Sequence, residues 1–308
     1  NRMVLTSNSR ISTGASDGFN GTGNTIFGHD AANNLAAGSN YNVIMGFSAA
    51  NQGVNGGDFN VSIGTNSSRG LTTGSWNVGI GSNANYAITI GQYNTAVGQD
   101  SLIAETVGNF TTAVGRAAGY SQVSDTNNED TGNTYLGASA GFYNVTGTNN
   151  TYVGRQSGNG ASGESNSNNT AVGYKSLYAI TTGGNNIAIG SASSGANTTA
   201  NHSISIGTSA LASQTTGGNV YNMAIGNYAM QYLTMGVGAN GSNTAVGHMA
   251  MRGSSGNSDT AQFNTAVGVN QANMIQTGNI MQNGLTQTEM ALLSDEEKAI
   301  RLRQRGIA

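Results

Sequence analysis

The chain repeats a five-residue phrase of the form Asn-x-x-φ-Gly, where φ is a large apolar residue, as in Asn94–Gly98 and Asn264–Gly268. Successive phrases begin 17 to 22 residues apart, which is the length of one solenoid coil rather than of a domain. The spacing therefore predicts an all-β, parallel β-solenoid of about 14 coils. The anchoring glycines are Gly28, Gly46, Gly64, Gly81, Gly98, Gly115, Gly137, Gly154, Gly173, Gly190, Gly207, Gly226, Gly247 and Gly268.

A low-complexity linker is the alternative interpretation, because the chain has 47 glycines and only 8% charged residues. The register of the phrase argues against it. The position before the glycine is always bulky and apolar, and the position three before the glycine is always Thr, Val, Ile or Met. The third position after the glycine is Ala or Ser in every phrase except the last, where it is Gln271. A disordered tract has no reason to keep such a register.

Residues two apart in a strand share a face, so we expect the φ position and the Thr/Val position before it to point into the coil. The residue between them, usually Ala, Ser or Gly but Tyr135 and Tyr152 in two copies, would then point outward. The small residue three positions after the glycine is expected to point inward. Asn begins twelve of the fourteen phrases, and stacked Asn amides are expected to hydrogen-bond along the coils.

Regularly spaced Thr on a flat solenoid face can bind ice, and Thr recurs at one position of the phrase. Because this position is predicted to be buried, we set the ice-binding interpretation aside. The recurring residues are Thr95, Thr112, Thr134, Thr151, Thr170, Thr244 and Thr265.

Each coil can bury only one large, one medium and one small side chain, which is a thin core for an isolated rod. We therefore expect lateral association, with three parallel copies around a common axis. A monomeric β-helix remains the alternative.

The phrases Asn94–Gly98, Asn186–Gly190 and Ser203–Gly207 resemble the head repeats of YadA-like trimeric autotransporter adhesins and the arrays of bacteriophage and other virion fibres. The resemblance covers roughly residues 24–272. It implies a left-handed β-roll assembled as an interlocked homotrimer that attaches to a surface. An extracellular or virion-surface location follows from the same resemblance.

The composition excludes some functions. Eleven Lys and Arg in a chain of net charge −3, four of them in the last eleven residues, argue against nucleic-acid binding. No apolar stretch approaches the roughly 20 residues of a membrane span, and the chain has no cysteine. Because it starts at Asn1 without Met, we expect that a leader or attachment domain has been removed or left out.

The two ends differ from the repeat array, residues 24–272. Thr286–Glu289 and Ser294–Glu297 have the capping-box form, so residues 273–308 are predicted to form a short helical cap. Residues 1–23 are expected to cap the first coil or to connect it upstream, with strands at Met3–Thr6 and Ile11–Thr13. Either end could also dock to other virion components.

No catalytic, cofactor or metal site is predicted. The acidic residues Asp125, Glu129 and Asp130 lie in the longest step, where we expect a solvated loop rather than a glycosidase pair. The three histidines occur far apart and near turns, without metal-ligand spacing. They are His29, His202 and His248.

Aromatic side chains in the turns are the candidates for binding a surface glycan or a receptor protein, although each could equally pack between coils. These candidates are Trp76, Tyr120, Tyr143, Tyr174 and Tyr178. The sequence thus indicates a non-enzymatic fibre or adhesin head that mediates attachment. A purely structural fibre or spacer and a polysaccharide depolymerase tailspike are the alternatives.

Overall fold

The computed structural model describes residues 9–12, 22–33, 35, 38–127, 129–215, 218–233, 242–253 and 264–271. The chain divides into two units, residues 1–185 and residues 186–308. The first unit contains β1 Ser9–Ser12, β2 Thr25–His29, β3 Val43–Met45, β4 Val61–Ile63, β5 Val78–Ile80, β6 Thr95–Val97, β7 Thr112–Val114, β8 Thr134–Leu136, β9 Thr151–Val153 and β10 Thr170–Val172. The second contains β11 Ile187–Ile189, β12 Ile204–Ile206, β13 Met223–Ile225, β14 Thr244–Val246 and β15 Thr265–Val267.

Each phrase forms one strand, and the strands stack in parallel within each unit. In the first unit β2 to β10 pair successively, and in the second β11 to β15 do the same. Equivalent positions of the phrase face each other, as Thr95 faces Thr112 and Val97 faces Val114. The prediction of an all-β, parallel β-solenoid is confirmed, and the described residues contain no helix.

The ends are described only in part. At the N-terminal end β1 pairs antiparallel with β2. The predicted strand at Met3–Thr6 and the predicted helical segment, residues 273–308, lie outside the described residues.

The predicted direction of the strand side chains is wrong. The second residue of each of the strands β2 to β15 is buried, whereas its two neighbours are partly or fully exposed. Tyr135 and Tyr152, expected to point outward, are the largest fully buried side chains described. Alternation allows either face to be the buried one, and residues from outside the strand, such as Ser101 and Leu102, also enter the coil interior, so one strand residue completes it.

The interior is filled by exchanging volume between two positions of the coil. Small residues three positions after the anchoring glycine are buried as predicted, and the next residue is buried as well. Where the strand contributes Ala96, this next residue is Leu102; where it contributes Tyr152, the next residue is Gly158. A Cβ at Gly158 would lie 2.2 Å from the Cε2 of Tyr152, so a large side chain fits at only one of the two positions.

A buried ladder of Asn side chains joins the coils, as predicted. Asn77 illustrates the pattern: its Nδ2 donates to the carbonyl of Gly91 across its own coil, at 2.8 Å. Its backbone N–H donates to Oδ1 of Asn60 at 2.9 Å, and its own Oδ1 accepts the backbone N–H of Asn94 at 3.0 Å. The amide thus satisfies backbone groups that would otherwise be buried without partners.

The anchoring glycines allow the coils to approach closely after each strand. Gly98 has φ +130°, and a Cβ there would lie 2.6 Å from the carbonyl oxygen of Gly115 in the next coil. Any side chain would separate the coils or distort the backbone. The glycine of the phrase is therefore required by backbone packing.

The volume exchange can be tested with a double-mutant cycle. Tyr152→Ala leaves a cavity and Gly158→Leu overfills the coil, so each should reduce the free energy of unfolding by about 3 kcal/mol or more. Together they recreate the Ala171/Leu177 pair of the following coil, so the double variant should be more stable than the sum of the two losses predicts. Urea unfolding followed by circular dichroism measures all four proteins.

Gly163→Leu is the control for backbone strain, because Gly163 also has a positive φ, +83°, but nothing lies within 4 Å of a Cβ there. Additive losses in the double variant would refute the volume exchange.

Candidate interaction surfaces

The exposed side of the strands carries an apolar file, formed by the φ residues of successive phrases. The side chains of this file are partly or fully exposed; Phe27 is 47% exposed, Leu136 46% and Val267 61%. A Thr/Val file runs beside it, and the spacing along both is about 4.8 Å per coil. We call the two files together the outward face, which continues over β2–β10 in the first unit and β11–β15 in the second. A long apolar surface of this kind indicates an interaction site.

The recurrent Thr belongs to this outward face, so the reason given for setting ice binding aside is wrong. Thr112, Thr151 and Thr265 are exposed, and the other four are half-buried. The adjacent file, however, mixes Val with bulkier residues such as Phe27, Met45 and Leu136. Its uneven height does not suit contact with a flat ice lattice, and the outward face fits a side-chain partner better.

A second exposed feature is a ladder of stacked aromatic rings, contributed by the residue just before the phrase in five successive coils. The ring centroids are 5.0 to 5.8 Å apart and the rings are within 14° of parallel. All five residues have a left-handed backbone, with φ between 55° and 59°. The aromatic ladder consists of Tyr41, Phe59, Trp76, Tyr93 and Phe110.

Stacking limits what the aromatic ladder can bind. Each internal ring has both faces turned towards its neighbours, so mainly ring edges remain free, and a sugar that stacks on a ring face has access only at the two ends. Trp76, predicted as a receptor contact, is therefore a packing residue as well as an exposed one, at 45% exposure. Each stacked pair contributes about 0.5–1.5 kcal/mol beyond its buried area.

The predicted binding residues Tyr120 and Tyr143 lie on either side of Phe142. Tyr120 stacks on Phe142 at 4.7 Å, and Tyr143 meets the same ring edge-on at 4.6 Å. The structure thus brings these two candidates together and separates them from Trp76, which belongs to the aromatic ladder.

The remaining two candidates, Tyr174 and Tyr178, occur with two cations. The guanidinium of Arg155 lies 5.0 Å from the Tyr174 ring and donates a hydrogen bond to its hydroxyl at 3.2 Å. The ammonium of Lys175 lies 5.5 Å from the Tyr174 ring and 4.8 Å from the Tyr178 ring. The hydrogen bond from Arg155 lowers the pKa of the exposed Tyr174 phenol. Sequence analysis missed both cations.

The coil before the acidic loop includes a buried carboxylate that sequence analysis did not identify. Glu105 is fully buried, and its Oε1 accepts backbone hydrogen bonds from Thr106, Gly108 and Ser124 at 2.8, 2.8 and 3.2 Å. Glu129 has a raised pKa, because partial burial and then the charge of Asp125 disfavour its ionised form. The bonds of Glu105 hold the loop, which indicates a structural role for this carboxylate.

The histidines have ordinary partners. His29 stacks on Phe47 and pairs with Asp30, His202 stacks on Tyr221, and His248 meets Tyr228 edge-on. Within the described part of the chain, no group of three His, Cys, Asp or Glu side chains could hold a metal ion.

A polar network surrounds the buried Tyr135. Its hydroxyl donates to Oε1 of Gln122 at 2.9 Å and accepts from Nδ2 of Asn144 at 2.8 Å. Tyr152 donates to Asn166 and, at 3.1 Å, to Oδ1 of Asn150. Burial raises the pKa of both phenols far above the ordinary tyrosine value.

Among the residues described, no helix is long and apolar enough to cross a membrane. Comparison with known proteins adds no assignment: no family model, curated protein or solved structure matches the chain.

Alkaline pH should destabilise the protein through the two buried phenols. Above about pH 10 they ionise in the unfolded chain but stay protonated in the folded protein, so stability present below pH 10 is lost as the pH rises. For each of the two phenols, the free energy of unfolding should fall by about 1.4 kcal/mol per pH unit in this range. Urea unfolding between about pH 8 and pH 11.5 measures it.

Tyr135→Phe and Tyr152→Phe should each flatten this dependence, whatever their effect at neutral pH. Tyr221→Phe, at an exposed tyrosine, is the matched control. An unchanged slope in the Tyr135→Phe/Tyr152→Phe double variant would contradict the assignment.

Proposed function

We propose that the chain is a non-enzymatic fibre or adhesin head that assembles as a homotrimer through its outward face and mediates attachment to a cell or host surface. The observation that carries the proposal is the exposed apolar file on every parallel strand of both units. Burying this file would contribute roughly 25 cal/mol for each Å² of apolar surface removed from water.

A second copy of the chain is the partner that fits the outward face best. The face repeats every coil, about 4.8 Å, and a parallel copy presents the same repeat. Contacts made in one coil can therefore recur in each of the following coils. A partner without this repeat would match only a few coils at a time.

Rotational symmetry then limits the number of copies. Parallel copies related by a rotation axis along the strand stack can form a closed ring. Three copies is the number that the resemblance to adhesin and fibre repeats implies. The same resemblance supports attachment as the function and an extracellular or virion-surface location.

Two other functions compete with attachment. A spacer fibre would assemble in the same way but bind no surface, and a depolymerase would release sugar. Labelled protein applied to a panel of bacterial and animal cells separates the first from an adhesin. Reducing-sugar release, compared with that of Asp125→Asn and Glu129→Gln, tests the second.

A charge placed in the apolar file should prevent assembly without unfolding the coil. Ile80 is 38% exposed in the single chain, and Ile80→Lys would bring like charges together at the symmetry axis. We expect light scattering to give the mass of three chains for the native protein and the mass of one chain for this variant.

Thr73→Lys is the matched control, since Thr73 is exposed in the same coil but outside the strand. This variant should remain a trimer, and circular dichroism should be alike for all three proteins. A single-chain mass for the native protein would overturn the trimer.

A further inference from the structure

Three cations occur close together on the first unit, in a chain with few charges. Only five Lys and Arg side chains are described, and three of them, Arg116, Arg155 and Lys175, lie in the coils that begin at Gly115, Gly154 and Gly173. We call these three residues the basic edge. The two arginines are exposed and Lys175 is half-buried.

Backbone pairing places Arg116 and Arg155 in one line along the coils, and Lys175 lies beside that line, because Tyr174 is the residue that directly follows Gly173. Arg116 and Arg155 directly follow their anchoring glycines, as Ala138 does in the coil between them. The carbonyl of Arg116 accepts the N–H of Ser139 at 2.9 Å, and that of Ala138 accepts the N–H of Gln156 at 3.0 Å. The carbonyl of Arg155 accepts the N–H of Lys175 at 3.1 Å. The two arginines are thus two coils apart, about 10 Å.

No carboxylate neutralises these cations in the part of the chain that the structure describes. The single ion pair there joins His29 and Asp30. The acidic residues Asp125 and Glu164 come ten residues after the anchoring glycines of their coils, and neither pairs with one of these cations. The basic edge therefore carries local positive charge on a chain whose net charge is −3.

Tyrosine rings hold two of the cations in place. Arg155 is fixed on Tyr174 by the ring contact and by the hydrogen bond to its hydroxyl. Lys175 contacts Tyr178 in the same coil. The position of Tyr178, five residues after the anchoring glycine, is occupied by Tyr120 and Phe142 in the coils that begin at Gly115 and Gly137, and by Asn159 in the coil that begins at Gly154. The rings of Tyr120 and Phe142 stack. The basic edge is therefore bordered by aromatic side chains.

We propose that the basic edge binds an acidic polysaccharide, with carboxylate or sulfate groups on Arg116, Arg155 and Lys175 and with sugar rings against Tyr120 and Tyr178. This proposal rests on the proposed function, because it names the ligand class for attachment. Two arginines in line along the coils, with a lysine beside them, suit an anionic polymer that runs along the rungs, and a guanidinium can bind a carboxylate or sulfate through two parallel hydrogen bonds.

A glycan fits this surface better than a nucleic acid does. Three cations are few for a phosphate backbone, where affinity depends on many neutralised charges. The hydroxyls and ring C–H groups of a polysaccharide match tyrosine, which offers both a hydroxyl and an apolar face.

The test measures binding of the full chain to two acidic polysaccharides and to their uncharged counterparts. The pairs are polygalacturonate with its methyl ester, and dextran sulfate with dextran. We expect at least one acidic member to bind, to weaken as salt rises, and to bind far better than its neutral counterpart. Arg155→Gln/Lys175→Gln should weaken that binding at least tenfold.

Arg69→Gln is the matched control, because Arg69 also lies over a tyrosine, Tyr86, and donates to its hydroxyl at 2.7 Å, but stands alone in its coil. This variant should bind within twofold of the native protein. Tyr174→Phe, which keeps the ring and removes the hydroxyl, should give an intermediate loss. Thermal melting checks that all variants fold.

Three outcomes would overturn the proposal: no binding to either acidic polymer, equal losses in Arg155→Gln/Lys175→Gln and Arg69→Gln, or equal binding to a 20-nucleotide oligothymidylate. The proposed function is judged separately, by light scattering and by adsorption to cells. If the protein is a trimer that adsorbs to cells but fails these binding tests, the proposed function stands and only the acidic polysaccharide is rejected as its ligand.

Discussion

The solenoid depends on a polar side chain kept inside every coil. The buried Asn of the phrase donates across its own coil and accepts a backbone N–H of the next coil, so one residue fixes both the width of a coil and its register. Where the amide is missing, other groups replace it. At Thr111 the hydroxyl bonds to that of Thr131, which itself donates to the carbonyl of Asn109 at 2.7 Å. This interruption directly precedes the longest step of the array.

The interior around this ladder is small, so in several coils a large side chain at one of two facing positions is matched by a small one at the other. Tyr135 and Tyr152 require glycine at the facing position, and Ala96 and Ala171 accept leucine there. Leu102 and Leu177 adopt left-handed backbone angles, φ 49° and 47°, that cost about 1–2 kcal/mol for an L-residue. Filling the coil outweighs that strain, as expected where an unfilled cavity of leucine size costs about 3–5 kcal/mol.

The sequence alone predicts the period, the parallel pairing and the Asn ladder, because each is a property of equivalent positions. The buried face was not predictable from alternation, which only says that Thr95 and Val97 share a side. Counting the other inward residues of the coil would have shown that the strand adds only one side chain to the interior. The aromatic ladder was visible as a residue type that recurs before the phrase. The Arg155–Tyr174 contact could have been predicted in the same way, because both residues directly follow their anchoring glycines.

Repetition separates the two kinds of exposed surface on this chain. The apolar file recurs in every coil, so a partner that contacts it along its length must share the repeat of about 4.8 Å. Another copy of the chain has this repeat because it has the same fold. The basic edge occurs in only a few coils, and no repeat of the fold requires a cation there. Uncompensated charge gives the coil no stability, and holding Arg155 and Lys175 against tyrosines costs side-chain entropy. Features that recur therefore suit assembly, and features that interrupt the repeat, such as this cluster of cations, suit recognition of something other than the chain itself.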